Sequence, residues 1–188
     1  MRKEGKPDKE MARIVYCRFC IGDTKEGTKF SLGGLYVHSI VKRVSKEALK
    51  RIKDEDPDAV DPGNGVRYNR VKPKAMGVTR EHVIPVEELY KHFDRQFRKG
   101  ELTVQSILDI MPMLEIAVIT KEQNGKFKRK VNGMKKSLTR SMPPGWWDSS
   151  SRDPFGRYRA AGLDDSIWVK EFLQSSKSAE LAGNLDLS

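Results

Sequence analysis

Cysteine is nearly absent from this sequence, with only Cys17 and Cys20 among 188 residues. Two thiols cannot supply the several cross-links that stabilise small secreted domains. The sequence also lacks an apolar run near the roughly 20 residues needed to span a bilayer, and no hydrophobic segment follows the charged residues 1–10. We therefore expect a protein of the reducing cytoplasm with no membrane partner.

Acidic residues are too few to balance the basic ones. The chain carries 36 Lys and Arg against 26 Asp and Glu, which gives a formal net charge of +10. The excess is concentrated in residues 121–140, which contain eight basic groups and one acidic group. Such density is typical of proteins that bind a polyanion, most often nucleic acid. The predicted partner is a nucleic acid, and the charge alone does not distinguish DNA from RNA.

The pattern of apolar residues predicts a mixed α+β fold with no internal repeat, in four parts. The first is a disordered basic arm, and the second is a β-containing region that includes an acidic loop. The third is a core of strands and helices that ends in residues 121–140, the basic segment. The fourth is a helical and aromatic extension. In chain order these parts are residues 1–10, 11–78, 79–140 and 141–188.

In the second part, strands are predicted over residues 13–21 and 35–44, and a short helix begins at Ser45. Residues 54–78 are predicted to be a surface loop. Five of the first eight residues in that stretch are acidic, and a Pro-Gly-Asn-Gly turn sequence follows them.

The third part contains two helical patterns followed by a strand. Leu89, Phe93 and Phe97 predict one apolar stripe on a helix that ends near Gly100, and a shorter helix is predicted to follow. Residues 115–120 have the composition of a buried strand.

A further helix is predicted directly after this strand. Thr120 is a suitable N-cap, and Gln123 three residues later completes a capping box. A helix is also expected near residues 167–173 of the C-terminal extension. The core therefore has the order strand, two helices, strand, helix.

One short string carries the strongest chemical signal. Thr79-Arg80-Glu81-His82-Val83-Ile84-Pro85 places a carboxylate beside an imidazole at the start of an apolar segment that a proline ends. With its two inserted helices looped out, the core is a ββα unit. The sequence resembles the HNH, or His-Me finger, nuclease family here, because Glu81-His82-Val83-Ile84-Pro85 matches its acid-His motif. Val118-Ile119-Thr120-Lys121-Glu122-Gln123-Asn124 is similar to its closing strand-to-helix segment.

The resemblance covers roughly residues 79–125 and implies a metal-dependent DNA endonuclease. The fold it implies is a ββα-metal core with inserted helices and an N-terminal β-containing extension. Glu81 and Asn124 would be the ligands of one Mg²⁺ or Mn²⁺, with Asn132 as the alternative to Asn124. His82 would be the general base, since an imidazole with a pKa of about 6.5 accepts a proton near neutral pH.

A structural zinc ion, which many family members bind with two Cys-x-x-Cys pairs, is not expected here. Only Cys17 and Cys20 are available, and zinc would need four ligands. In a strand these two thiols would also point to opposite faces. We interpret them as ordinary reduced cysteines; a metal there would need His38 or a second subunit.

The basic segment is predicted to bind the phosphate backbone, although a solvated charged face is the alternative. The residues assigned to this contact are Lys126, Lys128, Arg129, Lys130, Lys135 and Lys136. The alternative function is a non-catalytic nucleic-acid-binding protein in which Glu81 and His82 form a structural pair. Site-specific cutting of both strands would favour a homodimer, because one ββα site cuts one strand at a time.

The remaining histidines and aromatic residues are assigned structural roles. His38 lies in a strand-like run, and His92 borders the apolar stripe of its helix. The aromatic residues of the extension are interpreted as packing residues rather than base-stacking platforms. They are Trp146, Trp147, Phe155 and Tyr158.

Overall fold

A computed structural model describes residues 40–110, 113–131, 133–149 and 152–173. Within these ranges the protein is a mixed α+β structure with two small sheets and several helices, as predicted. No helix among the described residues has both the length and the apolar character needed to cross a bilayer. Several sequence predictions fall outside these ranges: those for residues 1–10 and 13–21, and for Cys17, Cys20, His38 and Asn132.

Six strands and five helices lie wholly within the described ranges. The strands are β1 (Ile40–Val41), β2 (Arg43–Val44), β3 (Val60–Asp61), β4 (Gly65–Arg67), β5 (Val78–His82) and β6 (Ile116–Thr120). The helices are α1 (Lys46–Glu55), α2 (Val86–Arg98), α3 (Val104–Leu108), α4 (Lys121–Gly125) and α5 (Gly156–Ala160).

The described residues divide into two compact units. The sheet unit consists of residues 40–81, 116–124 and 164–173. The helical unit consists of the described residues within 82–115 and 125–163.

The first sheet of the sheet unit has the strand order β1-β4-β3, and both pairs are antiparallel. Val66 at its centre is fully buried and pairs with Val41 on one side and Val60 on the other.

The prediction of a surface loop over residues 54–78 is wrong. The segment contains the β3–β4 hairpin and buries five apolar side chains: Ala59, Val66, Val71, Met76 and Val78. The acidic residues do not prevent this fold, because none of them is fully buried and three have partners: Asp56 and Asp58 pair with Arg70, and Asp61 accepts a hydrogen bond from Asn64. The Arg70 guanidinium donates two hydrogen bonds to the Asp56 carboxylate, at 3.1 and 2.8 Å, and holds the pKa of Asp56 below its usual range.

Gly65, the first residue of β4, is the glycine that the hairpin requires. Its φ is +147°, and a Cβ at this position would overlap the carbonyl oxygen of Val41. We expect Gly65→Ala to lower the free energy of unfolding by about 2–3 kcal/mol, since strand backbone cannot move aside cheaply. Urea unfolding measures this loss.

Gly63→Ala is the matched control for this prediction. Gly63 also has a positive φ, of +75°, but no atom lies within 4 Å of the added methyl group. Its expected cost is therefore only the backbone term of about 1 kcal/mol. Equal losses in the two variants would contradict the steric explanation.

The second sheet has the order β2-β6-β5, with β2 parallel to β6. The strand predicted over residues 115–120 is confirmed as β6, and all five of its residues are buried. Backbone bonds at the two ends of the β5–β6 pair join Val83 N to Glu115 O at 2.9 Å and Lys121 N to Gly77 O at 3.1 Å. These bonds define an antiparallel pair.

Helices α1 and α4 of the sheet unit begin as the sequence predicts. Ser45 caps α1 by accepting a hydrogen bond from Ala48 N at 3.2 Å. The capping box of α4 is confirmed: Gln123 N donates to Thr120 Oγ1 at 3.2 Å, and Thr120 N donates to Gln123 Oε1 at 3.0 Å. In the C-terminal extension, residues 170–173 are helical, within the stretch where a helix is predicted.

In the helical unit, the amphipathic helix predicted after Pro85 is confirmed as α2. Leu89 and Phe93 are buried, but Phe97 is 42% exposed, so its assignment to the apolar stripe is wrong. A step of four residues turns an α-helix by about 400°, and Phe97 is therefore about 80° away from Leu89 around the helix.

Candidate active site and nucleic-acid interface

Glu81 and His82 are the last two residues of β5, and both are half-buried. Successive side chains of a strand point to opposite faces, so the carboxylate and the imidazole leave the strand on different sides. The antiparallel pairing places Glu81 opposite Ala117, whose small buried side chain belongs to the central strand.

Asn124 belongs to α4, the helix that directly follows β6. Its Oδ1 atom is buried and has no hydrogen-bond partner among the described residues. An unpaired buried polar atom costs about 1–3 kcal/mol, so such an atom needs an explanation. An amide oxygen in this condition is suited to a cation, because hard divalent ions prefer oxygen ligands.

The first turn of α4 is fixed by a network of polar contacts in the sheet unit. The Ser45 hydroxyl donates to Gln123 Oε1 at 2.8 Å, beside the capping bonds of Thr120. Arg51 lies 3.0 Å from the Glu122 carboxylate and also donates to Gly77 O at 3.0 Å. These contacts attach α1 to α4 and to the residue before β5, so the position of Asn124 in its helix is determined by its neighbours.

The donor set available to a metal ion is small. In the part of the chain that the structure describes, no three His, Cys, Asp or Glu side chains cluster as a metal site. The predicted ligands Glu81 and Asn124 both belong to the sheet unit and offer a carboxylate and an amide oxygen. Both groups fit Mg²⁺ or Mn²⁺, which take oxygen ligands and keep several waters.

Arg157 is a residue of this region that the sequence analysis missed. It is fully buried in the helical unit, and its guanidinium donates to three backbone carbonyls. Two of these bonds are 2.8 Å to Val83 O and 2.9 Å to Leu138 O, and the third is to His82 O. Arg157 therefore holds the backbone at the end of β5 next to the end of the basic segment.

Two aromatic rings lie beside this buried cation. The Arg157 guanidinium carbon lies 4.6 Å from the centre of the Phe127 ring and 5.4 Å from that of Tyr158. Trp146, Phe155 and Tyr158 are buried, in agreement with their interpretation as packing residues. An arginine inside a run of apolar and aromatic residues was the available signal, but no pattern indicated which carbonyls it would bind.

The six basic residues predicted to bind phosphate are all exposed in the helical unit. Phe127 and Leu138 anchor the segment, and Thr139 N donates to Phe127 O at 2.9 Å. Lys136 pairs with Glu87. Among the described residues, the other five have no acidic partner, so their charge is available to a polyanion: Lys126, Lys128, Arg129, Lys130 and Lys135.

His92 is half-buried on α2 and stacks on Trp147, with ring centroids 3.8 Å apart and planes 8° from parallel. Burial lowers its pKa to about 4, and the positive charges of Arg152 and Arg95 add to the effect. These contacts agree with the structural role assigned to His92.

This low pKa predicts how stability depends on pH. The unfolded chain, with a His pKa of about 6.5, binds a proton more readily than the folded one. The stability from a neutral His92 is therefore present above pH 6.5 and is lost as the pH falls toward 4. We expect the urea midpoint to fall over this range. His92→Phe should reduce that dependence, and an unchanged pH slope in the variant would contradict the assignment.

The comparisons with known proteins give no match. No family model, no curated protein and no solved structure matches this chain. Its function must therefore be inferred from its own residues.

Proposed function

We propose that this protein is a metal-dependent DNA endonuclease of the HNH type. The observation that carries the proposal is the buried, unpartnered Oδ1 of Asn124 on the helix that follows an antiparallel strand pair. The first strand of that pair ends in Glu81-His82. The order of strand, inserted helices, strand and helix is the one that the family resemblance implies.

The proposed metal ligands are Glu81 and Asn124. When bound, the divalent cation would neutralise the charge that develops on the phosphate and assist departure of the 3′-oxygen. His82 is the proposed general base and takes a proton from the attacking water. The family resemblance suggests a product with a 5′-phosphate.

Other residues support this chemistry without touching the reacting atoms. The bond from Arg157 to His82 O fixes the backbone that carries the base, so we assign Arg157 as a positioning residue. The exposed cations of the basic segment bind the phosphate backbone without sequence preference.

The test is incubation of the purified protein with supercoiled plasmid and Mg²⁺ or Mn²⁺, beside an EDTA control. We expect nicking that requires the metal. Asn124→Ala should raise the metal concentration needed for half-maximal nicking by about tenfold or more. Asn124→Asp should keep this concentration near the wild-type value. Asn64→Ala, at an exposed turn amide that bonds Asp61, is the control and should leave the metal requirement unchanged.

The proposal would be overturned if the plasmid is retarded on the gel but remains intact with both Mg²⁺ and Mn²⁺. It would leave a non-catalytic nucleic-acid-binding protein, which the exposed basic segment would also explain.

A further inference from the structure

A groove of about 480 Å³ runs along α2 in the helical unit. One wall is formed by α2 side chains, and the others come from residues 133–136 and 141–148. We call it the α2 groove. Its apolar lining includes Met134, Met142, Pro143 and Trp147. The volume is in the range of clefts that hold small ligands.

Four cations and two carboxylates, those of Glu88 and Asp148, line the α2 groove, so its charge is positive and only partly neutralised. Two of its lysines have acidic partners: Lys91 lies 2.7 Å from Glu88, and Lys136 pairs with Glu87. Arg95 and Lys135 are exposed and have no acidic partner among the described residues. Two cations on this surface are therefore available to an anionic ligand.

The Trp147 ring is held in place within the protein. Its indole Nε1 donates to Glu88 Oε2 at 3.2 Å, and its ring stacks on His92. Glu88 is itself largely buried. The indole is therefore already fixed in one conformation before a ligand contacts it, which reduces the entropy cost of binding.

We infer that the α2 groove binds unpaired nucleotides of single-stranded nucleic acid. Arg95 and Lys135 contact phosphates, and the apolar lining at Met134, Pro143 and Trp147 receives the base. An acidic ligand without an apolar part would leave that lining unused. A duplex keeps its base faces stacked inside, so an unpaired base is the part of a nucleic acid that fits an apolar surface. The inference rests on the proposed function only in taking nucleic acid as the partner.

The test measures binding of a labelled oligo-dT of about 12 nucleotides by fluorescence anisotropy, in EDTA so that cleavage does not interfere. We compare the double variant Arg95→Gln/Lys135→Gln with Lys50→Gln/Lys53→Gln on α1, which loses the same charge from exposed positions of the sheet unit. We expect the groove variant to bind about tenfold more weakly. Loss of two phosphate contacts should also reduce the slope of log Kd against log salt concentration by about 1.4. The α1 variant should match the wild type.

Trp147→Leu tests the apolar part of the groove. We expect it to weaken binding of oligo-dT by about tenfold and to leave binding of poly-glutamate unchanged, after circular dichroism has confirmed that the variant is folded. Equal weakening by the groove and α1 variants would overturn the inference, because charge alone would then explain binding. An unchanged oligo-dT affinity in Trp147→Leu would also overturn it.

Because these measurements need no catalysis, the two proposals can fail separately. If the protein nicks plasmid but binds oligo-dT independently of Arg95 and Lys135, only the inference about the groove is overturned. If it binds oligo-dT through the groove but nicks plasmid with neither Mg²⁺ nor Mn²⁺, only the proposed nuclease function is overturned.

Discussion

His82→Ala should abolish metal-dependent nicking of supercoiled plasmid and leave retardation of the same plasmid on a gel unchanged. A positioned general base contributes about 10²- to 10⁴-fold to rate, so the loss should reach at least about 100-fold. Retardation should persist because the exposed cations of the basic segment do not depend on the imidazole. The measurement is the initial rate of nicking at saturating Mg²⁺ or Mn²⁺.

His92→Gln is the matched control for this prediction. His92 is a second histidine of the helical unit, and its contacts with Trp147 give it a structural role. This variant should nick at the wild-type rate below its unfolding temperature. Added imidazole should partly restore the rate of His82→Ala, because a free base can replace the missing one. Full nicking by His82→Ala without imidazole would remove His82 from the mechanism.

The parts of the fold that the sequence predicted are those determined by neighbours in the chain. The period of the apolar residues located α2, and a continuous apolar run located β6. The capping box at Thr120 and Gln123 involves residues only three positions apart, so its residue types were sufficient to predict it. Phe97 was misplaced because the 3.6-residue period rotates it off the stripe within two turns.

The parts that could not be predicted depend on contacts between distant segments. The acidic run leads into the β3–β4 hairpin because Val66 finds partners in β1 and β3, and because Arg70 pairs with Asp56. Composition over a short window contains neither fact, so the window indicated a loop.

The candidate site divides in the same way. The adjacency of Glu81 and His82 is a property of the sequence itself, but the pattern predicted them at the start of an apolar segment, whereas they are the last two residues of β5. The unpaired Oδ1 of Asn124 and the three carbonyls bound by Arg157 could not be predicted from the sequence, because they depend on burial and on long-range hydrogen bonds. Arg157 binds carbonyls 74 and 19 positions away in the chain.

Arg157→Met should produce the largest loss of stability among the variants considered. The substitution keeps most of the buried volume but removes the donors to the carbonyls of His82, Val83 and Leu138. Carbonyls left unpaired in the interior cost about 1–3 kcal/mol each, partly relieved by relaxation. We expect the free energy of unfolding in urea to fall by about 3–5 kcal/mol. Arg159→Met, at an exposed residue that pairs with Asp153, should change it by less than about 1 kcal/mol.

Arg157→Lys separates stability from positioning. Lysine keeps the charge but cannot present the planar fork of donors that reaches three carbonyls at once. If Arg157 only supports packing, a folded Arg157→Lys protein should nick at the wild-type rate. If it positions the base, the rate at saturating metal should fall severalfold while plasmid binding stays constant, because the His82 backbone is no longer fixed. A rate that follows only the folded fraction of each variant would show that Arg157 has no role beyond stability.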